Sequence, residues 1–127
     1  MTTPIRVLLV DDEPMFLEAL RALLEHDERI DIVATADTGE EAVGLARERK
    51  PDVALVDLAM PGLDGFELTR ALVPSTRVVA VSGLSSPLDA ERALDAGASS
   101  FLLKGGLYEE IAEAIVAVSD KLGEAGA

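Results

Sequence analysis

Residues 53–65 read Val53-Ala54-Leu55-Val56-Asp57-Leu58-Ala59-Met60-Pro61-Gly62-Leu63-Asp64-Gly65, or VALVDLAMPGLDG. The four leading residues are all apolar and show no polar alternation. That is the pattern of a strand buried on both faces, as in a parallel sheet covered by helices on each side. The run ends in a carboxylate, Asp57, and a proline-glycine loop comes next. A strand fit for the core thus carries an acid at its tip, where open α/β sheets place their ligand sites.

The same grammar repeats outward from this stretch. Ile5 to Val10, Ile30 to Ala36, Val78 to Val81 and Phe101 to Leu103 read as four more strands. Helical spacing separates them. Pro14 to His26 carries Phe16, Leu20, Leu23 and Leu24 on one face. Gly39 to Arg49 turns Ala42, Leu45 and Ala46 inward. Gly65 to Leu72 is short, and Asp64 is placed to cap it. Leu88 to Ala96 is stopped by Gly97. Leu107 to Leu122 repeats Leu107, Ile111, Ile115, Val118 and Leu122 at helical spacing. Five βα units in a row predict a doubly wound α/β fold: five parallel strands, flavodoxin-like (βα)5, with strand order 2-1-3-4-5. Residues 1–122 form one domain in this reading, and 123–127 a frayed tail or the start of a linker.

Composition narrows the function. The chain has 127 residues, 49% of them apolar, which suits one globular domain with an aliphatic core. Its formal charge is −13, a field that repels a phosphate backbone, so no nucleic acid is expected to bind through this domain. The absence of cysteine excludes disulfides, thiolate metal sites and thiol catalysis. The opening MTTPIRVLLVDDE has an apolar run too short for a signal peptide or a membrane span. The expectation is a soluble, cytoplasmic protein with no membrane contact.

The residues just past each strand are more telling. Asp11, Asp12 and Glu13 come after the first, Asp57 closes the third, Ser82-Gly83 stand at the end of the fourth, and Lys104-Gly105-Gly106 at the end of the fifth. In the 2-1-3-4-5 order, strands one and three are neighbours, so Asp11, Asp12 and Asp57 converge. Carboxylates that close disfavour each other's charged form. A hard divalent cation relieves this, and Mg2+ uses one or two carboxylates while keeping positions for a phosphate-bearing group. Lys104 and Ser82 can then pair with phosphoryl oxygens. Asp57 itself can attack phosphorus to form an aspartyl-phosphate.

Blander readings exist for each residue. Asp11-Asp12-Glu13-Pro14 can start a helix, and that is expected of one of these acids while the others bind metal. Ser82-Gly83 can be a turn, Lys104 a solvated charge, and His26 a surface residue at a helix end. Asp57 lies too early to cap the helix at Gly65. The joint placement of all these groups at carboxyl ends of strands favours the functional reading.

The runs VLLVDDEP, LVDLAMPGLDG, VVAVSG and ALDAGASSFLLKG together resemble the receiver domain of bacterial two-component response regulators, from Ile5 to about Val118. Their style is similar to receivers fused to helix-turn-helix domains. The resemblance implies that Asp57 is the phosphoacceptor and Asp12 a direct Mg2+ ligand, with Asp11 acting mainly through water. Ala59 would offer its backbone carbonyl to the metal, while Ser82 and Lys104 would bind the phosphoryl group. Phe101 would be the aromatic switch residue, without the hydroxyl of the common tyrosine. A sensor histidine kinase is the implied donor, the domain acts on its own phosphoryl group and not as a turnover enzyme, and the output is a conformational change. Homodimer formation on phosphorylation and control of transcription through a DNA-binding domain are left open by the resemblance. Gly105-Gly106 departs from the family's proline after the lysine. Three alternatives compete: a haloacid-dehalogenase-type phosphatase, which needs an acid where Ala59 stands; a flavodoxin-like cofactor binder, whose phosphate loop is unlike Asp11-Asp12-Glu13; and a receiver-shaped interaction module that works unphosphorylated.

Overall fold

The computed structural model describes residues 3–60, 64–83, 87–105 and 108–125, with backbone only for 87 and 120–125. The Pro61-Gly62 loop, Gly106, Leu107 and the side chain of Leu122 lie outside the described residues. The elements run β1 (Ile5–Val10), α1 (Pro14–Leu24), β2 (Ile30–Ala36), α2 (Gly39–Arg49), β3 (Val53–Asp57), α3 (Gly65–Leu72), β4 (Arg77–Ser82), α4 (Pro87–Asp95), β5 (Ser100–Leu103) and α5 (Tyr108–Ala125). The strands form one parallel sheet in the order β2-β1-β3-β4-β5, as the sequence pattern predicts.

Alternation along the central strands splits the core in two. Leu8, Val10, Ala54, Val56, Val78 and Ala80 face the layer built by α2, α3 and α4. Val7, Leu9, Val53, Leu55, Val79 and Val81 face α1 and α5, where Leu20, Leu24, Ile111, Ile115 and Val118 cover them. The three central strands are buried on both faces, whereas the edge strands are not. Asp31 of β2 is exposed, and so is Leu103 of β5, because each edge strand has a neighbour on one side alone.

Three expectations need correction. Leu23 does not share the buried face of α1: it is 48% exposed, and Leu17 packs inward instead. At 100° per residue, Leu17, Leu20 and Leu24 share an arc of about 60° around the helix, and including Leu23 would widen it to about 120°. Helix α1 ends at Leu24, two residues before His26. Helix α5 runs to Ala125, past the expected end at Leu122.

Two glycines are required by the backbone. Gly97 sits at φ +110°, where Ala98 N–H bonds Ala93 O and Gly97 N–H bonds Leu94 O, the Schellman closure of α4. Gly65 starts α3 against the end of β3. A Cβ there would lie 2.4 Å from Leu58 Cα and 2.9 Å from the Asp57 carbonyl oxygen. The side chain of Asp64 caps α3 as expected, accepting from Phe66 N–H at 2.6 Å.

Candidate phosphoryl-accepting site

The site is assembled by the ends of β1, β3, β4 and β5. Asp57 continues the parity of Val53 and Leu55, and Asp11 that of Val7 and Leu9, so both point to the α1–α5 side of the sheet. There they border Phe16, Leu17 and Leu20. Beyond Asp57, Leu58 and Met60 are buried in the opposite layer, while Ala59 is exposed between them. This staggered anchoring holds the exit of β3. Asp57 Oδ1 accepts from Ala59 N–H at 3.0 Å, and Leu58 N–H bonds Val81 O at 2.9 Å.

Carboxylate oxygens of Asp11, Asp12 and Asp57 lie within 4.8 Å of one another. Asp11 and Asp57 are each only 3% exposed, and Asp12 is half-buried. Three hard oxygen donors at this spacing, in a negatively charged concavity, fit a divalent hard cation. Burial raises the Asp11 carboxyl above the ordinary range, and the negative charge of Asp57 adds to that. Its hydrogen bonds with Lys104 and the Glu13 N–H act in the opposite direction.

Lys104 is drawn into the cluster. Its backbone N–H bonds Ser82 O at 2.7 Å, tying the ends of β5 and β4 together. Its Nζ lies 2.8 Å from Asp11 Oδ2 and 3.4 Å from Asp57 Oδ2, and it contacts Glu13 Oε1. Burial works against the ammonium charge, but the bonds to Asp11 and Glu13 overcome it and hold the lysine firmly protonated. The Nζ also sits 4.5 Å above the centre of the Phe16 ring. A freely solvated lysine is therefore excluded. Ser82 is buried at the end of β4. Phe101 is half-buried on β5 and packs against the α2–α4 side of the core.

The helix-start reading of the first acidic run holds for Glu13 by position. Glu13 occupies the N-cap position of α1, with Pro14 next, yet its side chain makes no capping bond and turns to Lys104 instead. Asp11 Oδ1 accepts from Glu13 N–H at 2.8 Å, which folds the loop around the site. Sequence reasoning did not assign Glu13 or Phe16 to the lysine. The acid's position directly after Asp11-Asp12 was a usable signal. That of Phe16 was masked by its fit to the apolar face of α1.

The sequence matches the response regulator receiver domain family over residues 7–116, and the chain belongs to it. Members of that family are signalling domains of two-component systems, bind Mg2+ at an acidic pocket and work with sensor histidine kinases. The chain is 40% identical to response regulator GacA of Pseudomonas aeruginosa over 114 residues, covering 87% of this chain and 53% of that protein. It is 42% identical to the transcriptional regulatory protein LiaR of Bacillus subtilis over 118 residues, covering 91% and 56%. It thus spans about half the length of these curated relatives. Among solved structures, the signal receiver domain of the putative response regulator NarL from Mycobacterium tuberculosis superposes with a TM-score of 0.89 at 34% identity, covering 94% of this chain and 98% of that one. A LuxR-family two-component response regulator from Aurantimonas sp. SI85-9A1 gives 0.88 at 33% identity, covering 94% and 87%. No described helix is long and apolar enough to cross a membrane.

Proposed function

We propose that this domain accepts a phosphoryl group from a sensor histidine kinase onto Asp57, in a Mg2+-dependent reaction, and thereby switches an output. The observation that supports it most is the gathering of Asp11, Asp12 and Asp57 around one point, with the Lys104 ammonium 3.4 Å from Asp57. A carboxylate oxygen of Asp57 attacks phosphorus, the bond from phosphorus to the donor breaks, and an acyl-phosphate forms on Asp57. Asp12, Asp11 and the Ala59 carbonyl, with Asp57, would hold the metal. When bound, the metal neutralises charge between the carboxylate and the incoming phosphoryl group.

Lys104 then exchanges a carboxylate partner for a phosphoryl oxygen, and Ser82 donates to another. That shift is felt at the end of β4 and at Phe101, the candidate switch residue on β5. Control of transcription is proposed by analogy with relatives such as LiaR, named a transcriptional regulatory protein. The domain is proposed to act in the cytoplasm and to catalyse only reactions of its own phosphoryl group. The test is intact mass after incubation with Mg2+ and a small acyl-phosphate donor, for wild type and Asp57→Asn. A gain of one phosphoryl group in wild type alone is expected. No gain in wild type, with Mg2+ binding demonstrated, would overturn the proposal and favour an interaction module that works unphosphorylated.

A further inference from the structure

Lys104 touches more than carboxylates. The Phe16 ring under its Nζ is in turn stacked on Tyr108, with ring centroids 6.3 Å apart and planes at 28°. Phe16 belongs to α1 and Tyr108 opens α5. Tyr108 is 37% exposed and lines a groove of about 490 Å³ between the end of α1 and the start of α5, beside Leu23, Leu24, His26 and Ala112. One chain of contacts therefore runs from the carboxylate cluster, through an ammonium and two rings, to an open surface. It leaves the site on the α1–α5 side of the sheet, opposite the layer against which Phe101 packs.

We infer that Phe16 is a positioning residue for Lys104, and that the Phe16–Tyr108 stack reports the position of this lysine at the α1–α5 groove. Lys104 has four acceptors of charge within reach: Asp11, Glu13, Asp57 and the face of Phe16. A cation over a ring face is held by the ring quadrupole. New phosphoryl oxygens on Asp57 draw Nζ away from Glu13 and across that face. The polarised ring shifts with it, and Tyr108, stacked on the other ring, moves in turn. The groove beside Tyr108 then differs between the two states. This part of the inference rests on the phosphoacceptor reading of Asp57.

The composition supplies the probe. Tyr108 is the single tyrosine and there is no tryptophan, so tyrosine emission of the chain reports Tyr108 alone, and Tyr108→Phe is the blank. Emission and intact mass are followed together after adding Mg2+ and a small acyl-phosphate donor. The expected result is an emission change with the time course of the mass gain. Phe16→Leu, which keeps an apolar side chain without a ring, is expected to lose that change. It should also slow phosphorylation about two- to five-fold, the factor carried by a partly exposed cation–π contact. A mass gain with no emission change, or one that persists in Phe16→Leu, overturns the inference.

A second measurement does not depend on phosphorylation. Lys104→Met should alter Tyr108 emission in the resting protein, and the alteration should vanish in the Phe16→Leu background. If mass never changes, the phosphoacceptor reading fails, and this cycle still decides the ring relay. Equal Lys104→Met effects in both backgrounds overturn it.

Discussion

Two aspartates bracket the central strand, and their treatment is opposite. Asp52 stands before β3 at the amino end of the sheet. Its carboxylate accepts from Arg6 N–H at 2.9 Å, its own N–H bonds Arg6 O at 2.8 Å, and its carbonyl accepts from Arg77 N–H at 3.1 Å. It knits β1, β3 and β4 together. Asp57, five residues on, is more deeply buried, yet its carboxylate has one backbone N–H, a lysine at 3.4 Å, and two further acids nearby. The strand uses one acid to satisfy backbone donors and leaves the other with reactive capacity. Hydrogen bonds of Asp52 tie strands together at the amino end, and the carboxylate cluster gathers at the carboxyl end, where open α/β sheets place their ligand sites.

Breaking each end should give opposite signatures. The largest effect is expected at Asp57: Asp57→Asn abolishes phosphoryl uptake by intact mass while the thermal transition remains cooperative. Next is the response of the cluster to metal. Mg2+ should raise stability by about 2.7 kcal/mol at about a hundredfold excess over its Kd. The rise in thermal midpoint should be lost when Asp11 and Asp12 are both changed to Asn.

Gly65→Ala tests the support of Asp57 from behind. The new Cβ meets backbone, which cannot rotate away, so a loss of about 1–3 kcal/mol by denaturant titration is expected, together with slower phosphorylation. Asp52→Ala should cost a comparable or smaller amount, about 1–3 kcal/mol, because Arg6 N–H loses its acceptor, but phosphoryl uptake should persist. A stable Asp52→Ala that no longer accepts phosphate would dissolve the contrast between the two ends.

The smallest effect concerns pH. Asp27 is held below the ordinary carboxylate range, chiefly by side-chain bonds from Arg29, which also reaches Glu113 of α5. A depressed carboxyl contributes stability above its unfolded value, and the contribution disappears as pH falls through the folded value. Arg29→Ala should therefore flatten the acid side of the stability profile slightly and leave neutral-pH phosphorylation unchanged. An unaltered acid limb would show that this surface pair contributes nothing measurable.

Much of the fold was legible in the sequence. The central strands are continuous apolar runs because both of their faces are covered, and their tips fall where the acids, the hydroxyl and the lysine stand. Asp64 was readable as a cap because it directly precedes Gly65 and the helical pattern. Leu23 was not, because periodicity gives an apolar stripe without saying where its edge meets the sheet. The predicted order already put β2 and β5 at the edges of the sheet, but which of their residues face solvent, Asp31 and Leu103 among them, followed from the tertiary packing.

The order of elements, the aliphatic core and the set of charged groups at the carboxyl end of the sheet were all readable from the residues in chain order. These come from short-range periodicity and from the parity of residues along each strand. The packing of distant segments sets Lys104 against Asp11 and Glu13 over the ring of Phe16, turns the Glu13 side chain to that lysine and away from capping α1, and leaves no room for a Cβ on Gly65 beside Asp57. Those outcomes depend on distances between segments tens of residues apart, where one ammonium must choose among several carboxylates and a ring. No local pattern encodes that choice.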